Sequence, residues 1–148
     1  YNSQTYIQSK PDLGGSVTAT DSDHDRHTIS ASNTYRFYLT TINERDALLT
    51  SITANVSLGT STAYSEGHAS ASLNWTITDN NGKIWANGNS AGTIVFEPLN
   101  SRVGDIEYLD LYMSVYAMAY TDPGQPDSRG TATAKFSSIK GNYILPIQ

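Results

Sequence analysis

Four tyrosines recur at every fourth position of residues 105–120, DIEYLDLYMSVYAMAY: Tyr108, Tyr112, Tyr116 and Tyr120. Rings in a row offer flat apolar surface with a hydroxyl edge, suited to stacking on sugars or anchoring a protein partner. Trp85 is expected to add an exposed ring, because its parity opposes that of Ile84 and Ala86. A second candidate is Asp21, Asp23 and Asp25, whose alternate spacing matches the opening ligands of a calcium loop. The rest of that pattern is missing, with Arg26 in place of the sharp-turn glycine and Ser32 in place of the closing glutamate. His24 and His27 would instead suit zinc or copper beside an aspartate. A solvated charged loop is the simpler reading, so no cofactor is expected, and Ca²⁺ is the ion the loop would suit best.

Catalysis has less support. Eighteen serines and three histidines make chance pairs unavoidable. The chain carries no Gly-x-Ser-x-Gly, no His-Glu-x-x-His and no phosphate loop. Glu66, Glu97 and Glu107 with ten aspartates include no pair singled out for glycoside hydrolysis. A non-catalytic protein is expected. Asn55-Val56-Ser57 and Asn74-Trp75-Thr76 satisfy the glycosylation sequon and point outward by parity, so Asn55 and Asn74 are candidate glycan carriers.

The elements that must position these residues read as strands. In 105–120 one face carries Leu109, Leu111, Met113, Val115, Ala117 and Ala119, and the other carries the tyrosines. Period-two alternation marks a strand with one face on a core, and places successive tyrosines about 13 Å apart. Tyrosines at this spacing would also line a helix, but the residue types and the lack of caps favour the strand. Gly67 to Asp79 alternates as cleanly, with Ala69, Ala71, Leu73, Trp75 and Ile77 inward. It ends at Asp79-Asn80-Asn81-Gly82, where Asn-Gly predicts a tight hairpin turn. Residues 30–41 place Ala31, Asn33, Tyr35, Phe37 and Leu39 on one face, and 48–58 place Leu48, Ile52, Ala54, Val56 and Leu58 on one face. Asn87-Gly88 reads as a second turn and residues 43–47 as the one helical turn. Gly130 to Ser138, with Ala132, Ala134 and Phe136 inward, and a short last strand from Tyr143, restricted to an edge by Pro146, complete the count.

Eight to ten strands at hairpin spacing predict an all-β, single-domain antiparallel β-sandwich of jelly-roll or related Greek-key type. The inward alanines Ala69, Ala71, Ala117, Ala119, Ala132 and Ala134 are poor strand formers, and are expected where two sheets approach closely or, as the second reading, along a shallow groove able to accept an added strand. Residues 1–15 are expected to form an extended segment, with Pro11, Gly14 and Gly15 as a hinge, ahead of a sandwich domain at 16–148. In that segment Tyr1, Tyr6 and Ile7 are the candidate assembly residues, docking as a strand on a neighbouring subunit.

At 148 residues the chain can bury a core without disulfides, and it has no cysteine. Serine, threonine, asparagine and glycine exceed a third of it, against nine lysines and arginines. That polar, weakly charged composition suits an extracellular β-protein. The start at Tyr1 without methionine fits a processed end, so secretion is expected. A net charge of −5 without a basic cluster argues against a nucleic-acid partner and gives no attraction to anionic membranes, so neither nucleic acid binding nor membrane insertion is expected. No apolar run approaches the ~20 residues of a spanning helix. Two roles remain: a self-associating subunit of an extracellular filament or surface assembly, or a carbohydrate-binding module using the tyrosine face.

Overall fold

The computed structural model describes residues 3–21, 27–39, 41–42, 44–62, 67–97, 106–121 and 128–146. Eleven strands account for nearly all of them: β1 (Ser3–Lys10), β2 (Leu13–Asp21), β3 (His27–Tyr38), β4 (Thr41–Ile42), β5 (Arg45–Asp46), β6 (Leu48–Thr62), β7 (Gly67–Asp79), β8 (Ile84–Gly88), β9 (Gly92–Phe96), β10 (Tyr108–Thr121) and β11 (Ser128–Pro146). Every pairing among them is antiparallel. No helix occurs among the described residues, and therefore none long and apolar enough to cross a membrane.

Two sheets form the sandwich. In one, β1 and β2 lie end to end along one side of β11, followed by β6 and β9. In the other the order is β3, β10, β7, β8. Counting β1 and β2 as one strand, the chain crosses between sheets at each step except the β7–β8 hairpin and the small β4–β5 hairpin. Two four-stranded sheets wound this way are a jelly roll. The core between them holds Leu13, Phe37, Leu49, Ile52, Leu73, Ile77, Leu111, Met113, Phe136, Ile139 and Tyr143, each at most 1% exposed. Of the inward alanines, Ala117, Ala119 and Ala134 are fully buried, and the side chains of Ala69, Ala71 and Ala132 lie outside the described positions. Gly14, at φ 105°, sits where a Cβ would collide with Met113 Cε and lie 2.7 Å from the Ala134 carbonyl.

Several expectations are corrected. The segment at residues 1–15 is no separate unit in its described part. β1 pairs with β11 from Ser3↔Pro146 to Lys10↔Ile139, and β2 resumes in the same register at Leu13↔Phe136. Pro11 interrupts the ladder without redirecting the chain, so the expected hinge is a break in one long edge strand. Proline is tolerated there because it lies at the sheet edge opposite a bulge in β11, where Ser138 has φ 53° and pairing with β6 skips from Ser137 to Lys140.

That bulge explains why 128–146 reads as two strands. Inward parity changes from Ala134 and Phe136 to Ile139, Gly141, Tyr143 and Leu145 across it. β11 is thus one strand inside its sheet, and Pro146 is accommodated because pairing with β6 ends at Ile144↔Leu48. A second irregularity, between Asn142 and Tyr143, leaves Thr50 of β6 unpaired and makes Leu49, not Leu48, the buried residue. Asn43 lies outside the described residues, and residues 44–47 are not helical: Arg45 and Asp46 form β5, paired with β4, and Glu44 has φ 63°.

Asn87-Gly88 is not a turn either, since both residues pair with β7. Gly88 leaves room for the Trp75 indole, which a Cβ there would meet at 2.6 Å. At Asp79-Asn80-Asn81-Gly82 only Gly82 has positive φ, 83°. Gly82 N–H donates to Asp79 C=O (3.1 Å) and Asp79 N–H to Lys83 C=O (3.0 Å). The connection is a three-residue loop with a glycine bulge, wider than the two-residue turn expected.

Candidate functional site

The outer face of the β3–β10–β7–β8 sheet carries the tyrosine row. Cross-strand register sets its composition, since residues directly opposite share a face. Asp110 lies between Arg36 and Thr78, Tyr112 between Thr34 and Thr76, Ser114 between Ser32 and Asn74, and Tyr116 between Ser30 and Ser72. One strand further out, Asn87 lies opposite Thr76. The surface is therefore an aromatic ridge bordered by neutral hydroxyls and amides, with the Arg36–Asp110 ion pair at one end. An open hollow of about 320 Å³, lined by Asn74, Thr76, Asn87, Gly88 and Asn89, runs beside it.

The tyrosines are not equivalent. Among those whose side chains are described, Tyr112 is the most open, at 40% exposure, and Tyr116 is half-buried. Tyr108 is already engaged. Its ring stacks under the Arg36 guanidinium, 3.7 Å from the centroid, and meets Tyr38 edge-on at 6.2 Å. Arg36 is fixed in turn by Asp110, through Nε to Oδ1 at 2.9 Å and a second nitrogen to Oδ2 at 3.2 Å. The hydrogen bond to Asp110 holds the guanidinium charged, raising its already high pKa further. The Tyr120 side chain lies outside the described positions.

Trp85 does not join this face. It packs half-buried against the core, and its Nε1 donates to Asp79 Oδ2 at 2.9 Å. Asp79 itself is 6% exposed and also accepts the N–H groups of Asn81 (2.8 Å) and Lys83 (3.0 Å) at Oδ1. Burial pushes this carboxyl up, but the three donors and the nearby Lys83 charge outweigh it and hold the pKa below the ordinary value. Parity could not reveal this arrangement, because β7 and β8 slip register between Ile77 and Thr78 and the turn carboxylate turns back under the indole.

Among the expected assembly residues, Tyr6 and Ile7 stand on β1, while Tyr1 lies outside the described residues. Ile7 is 56% exposed, and Tyr6 leans on Tyr143 with centroids 6.1 Å apart. Tyr143 O–H donates to Gln8 Oε1 at 3.1 Å, and burial with Tyr6 alongside raises its pKa, keeping the phenol neutral. Asp23 and Asp25 lie outside the described residues and the Asp21 side chain outside the described positions, so the geometry of that loop does not enter. Asn55 and Asn74 are exposed on opposite outer faces, and Asn55 Oδ1 accepts from Thr93 Oγ1 at 3.2 Å.

The strand order and the two packed sheets define a jelly-roll β-sandwich. No protein-family model matches the chain, and no curated protein matches it in sequence. Among solved structures it is similar to the VP2 subviral particle of infectious bursal disease virus, at 10% identity over 97% of this chain and 42% of that one, with TM-score 0.34. It is also similar to structures of the Gx and Gt strains of that virus, at 10% and 11% identity, each over 97% of this chain and 40% of the other, with TM-scores 0.30 and 0.31. This chain spans about two fifths of those viral chains. The fold assignment rests on the strand order itself.

Proposed function

We propose that this protein is a non-catalytic, secreted structural subunit that joins copies of itself into an extracellular filament or surface assembly by exchanging β1. The observation that carries the reading is how β1 is held. Each of its described side chains is exposed or half-buried, so the strand sits at the sheet edge by its backbone ladder to β11 with little core anchorage. Its side-chain ties are the Tyr6–Tyr143 contact, the Gln8 bond to Tyr143, a bond from Arg45 Nη1 to Gln4 Oε1 (2.8 Å), and Lys10 over the rings of Tyr35 and Phe37. A neighbour's β1 can reproduce every one of these in trans, with the break at Pro11 as the pivot. Head-to-tail exchange builds open chains.

Light scattering with negative-stain microscopy tests this. The full chain is expected to form polymers, and the chain lacking residues 1–10 to remain folded and polymerise no further. A preparation consisting only of 16.1 kDa monomers at every concentration sinks the reading.

A second reading rests on Tyr112. An exposed ring between Thr34 and Thr76, with Asn74 and Asn87 beyond, suits weak stacking and hydrogen bonding to a neutral oligosaccharide. Tyr112→Ala is expected to remove such binding on a glycan array without changing the fold. An array with no hit for the parent chain rules this reading out.

A further inference from the structure

Residues 28–34 of β3 are all exposed, although the strand pairs with β10 along its whole length. In a sandwich the inward parity should be covered, yet Ala31 and Asn33 stand in solvent and Ile29 is 44% exposed. On the side away from β10 the strand has no ladder partner among the described residues. The edge away from β10 is thus open to a further strand, with β2 of the facing sheet close by.

Two hydrogen bonds show which backbone groups line the open side. Leu39 N–H reaches toward β10, donating to Glu107 C=O at 2.8 Å in continuation of the register, so odd residues bond inward. Thr34 N–H instead donates to its own neighbour, Asn33 Oδ1, at 2.8 Å. The outward-pointing groups are therefore those of Thr28, Ser30, Ser32 and Thr34, of which the Thr34 N–H is held by that local bond. The usual guards against edge pairing are missing: β3 contains no lysine and no proline, and its register with β10 has no bulge. The segment, Thr-Ile-Ser-Ala-Ser-Asn-Thr, also reads nearly the same in both directions about Ala31.

We infer that β3 is a homophilic edge, on which a second copy of this chain lays its own β3 antiparallel across a two-fold axis through Ala31. Ser30 then faces Ser32 of the partner subunit, and Thr28 faces Thr34 of the partner subunit. Those pairs use the outward backbone groups, the Thr34 N–H exchanging its local bond to Asn33 Oδ1 for one across the axis, and Ala31 meets its symmetry mate at a non-hydrogen-bonded site, with Cα atoms about 4.5 Å apart. No like charges oppose each other within the seven residues, and hydroxyls face hydroxyls. The tyrosine-bearing sheets join into one of eight strands. Such a contact is isologous and closes as a dimer, unlike the open chain that β1 exchange gives. The inference rests on the self-association proposed above and names a separate surface for it.

The chain has no cysteine, so Ala31→Cys gives a single thiol. Mild oxidation is expected to convert it largely to a disulfide-linked dimer, at least tenfold faster than Asn89→Cys in an exposed loop of the opposite edge. Ser32→Pro removes an outward N–H and leaves the β10 ladder intact. It is expected to abolish dimers in sedimentation velocity while the parent circular dichroism spectrum is kept. Equal crosslinking of the two thiols, or dimers that persist in folded Ser32→Pro, overturns the edge even where the parent chain still polymerises through β1. Dimers lost with Ser32→Pro but kept without residues 1–10 support the edge as a contact separate from strand exchange. A parent chain that is monomeric at all concentrations overturns both.

Discussion

At the residue scale, the buried carboxylate of Asp79 and the empty Cβ position of Gly141 set local stability. Asp79 collects three hydrogen bonds at the β7–β8 turn, and hydrogen bonds to a charged group contribute ~1.5–3 kcal/mol each when their loss leaves donors stranded. Its pKa is lowered on folding. The stability it supplies is therefore complete above the unfolded value near ~4 and is lost as pH falls through the lower folded value. Asp79→Asn is expected to destabilise the protein by ~1–3 kcal/mol at pH 7. Its thermal midpoint should also fall less steeply than the parent's below pH 4, which a melting series from pH 7 to 2.5 checks. Gly141 lies under Phe37, where a Cβ would stand 2.6 Å from the ring. Alanine in a strand normally gains ~0.5–1 kcal/mol over glycine, but overpacking a filled core costs ~1–3 kcal/mol. Phe37 is wholly buried and has nowhere to move, so Gly141→Ala is expected to lose stability in denaturant titration.

At the element scale, legibility followed parity. β10 was readable throughout, since its alternation runs unbroken from Tyr108 to the last described side chain, Ala119, and its inward face is the buried one. β6 and β11 were not. One extra residue at Thr50 and another at Ser137–Ser138 reverse which face is inward, and nothing in the local residue types announces a bulge. The tyrosine face was legible as a face. What it lacked was Arg36, which occupies Tyr108 from a strand seventy-odd positions away, a pairing that register alone decides. β1 was legible as an extended polar strand, but its pairing within the chain depends on residues at the opposite end of the sequence. Its weak side-chain anchorage has a direct consequence. Amide exchange in β1 is expected to be at least tenfold faster than in β6 and the stretch of β11 it pairs with, because local opening there exposes almost no core. Equal protection across β1 and β6, by exchange with mass spectrometry, would count against a strand able to leave.

At the scale of the whole molecule, the two sheets share one core and cannot be dismantled separately. Phe37 of β3 lies against Gly141 of β11, and Met113 of β10 fills the space that Gly14 of β2 leaves open. The chain passes to the opposite sheet after β2, β6, β9 and β10, so opening either sheet strands the buried face of the other. A domain of this size with a continuous core unfolds as one unit. Trp75 and Trp85 both belong to the β7–β8 hairpin, so their fluorescence reports one sheet while far-ultraviolet circular dichroism reports both. In the chain lacking residues 1–10 and carrying Ser32→Pro, where neither proposed contact intervenes, the two probes are expected to give the same urea midpoint. Folding itself should be slow, in the range of milliseconds to seconds, because β11 cannot complete its sheet until β2 and β6, made far earlier in the chain, are held beside it. Separate midpoints for the two probes would mean that the sheets are independent units, and the interlocking of Gly14 with Met113 and of Gly141 with Phe37 would then contribute little to holding them together.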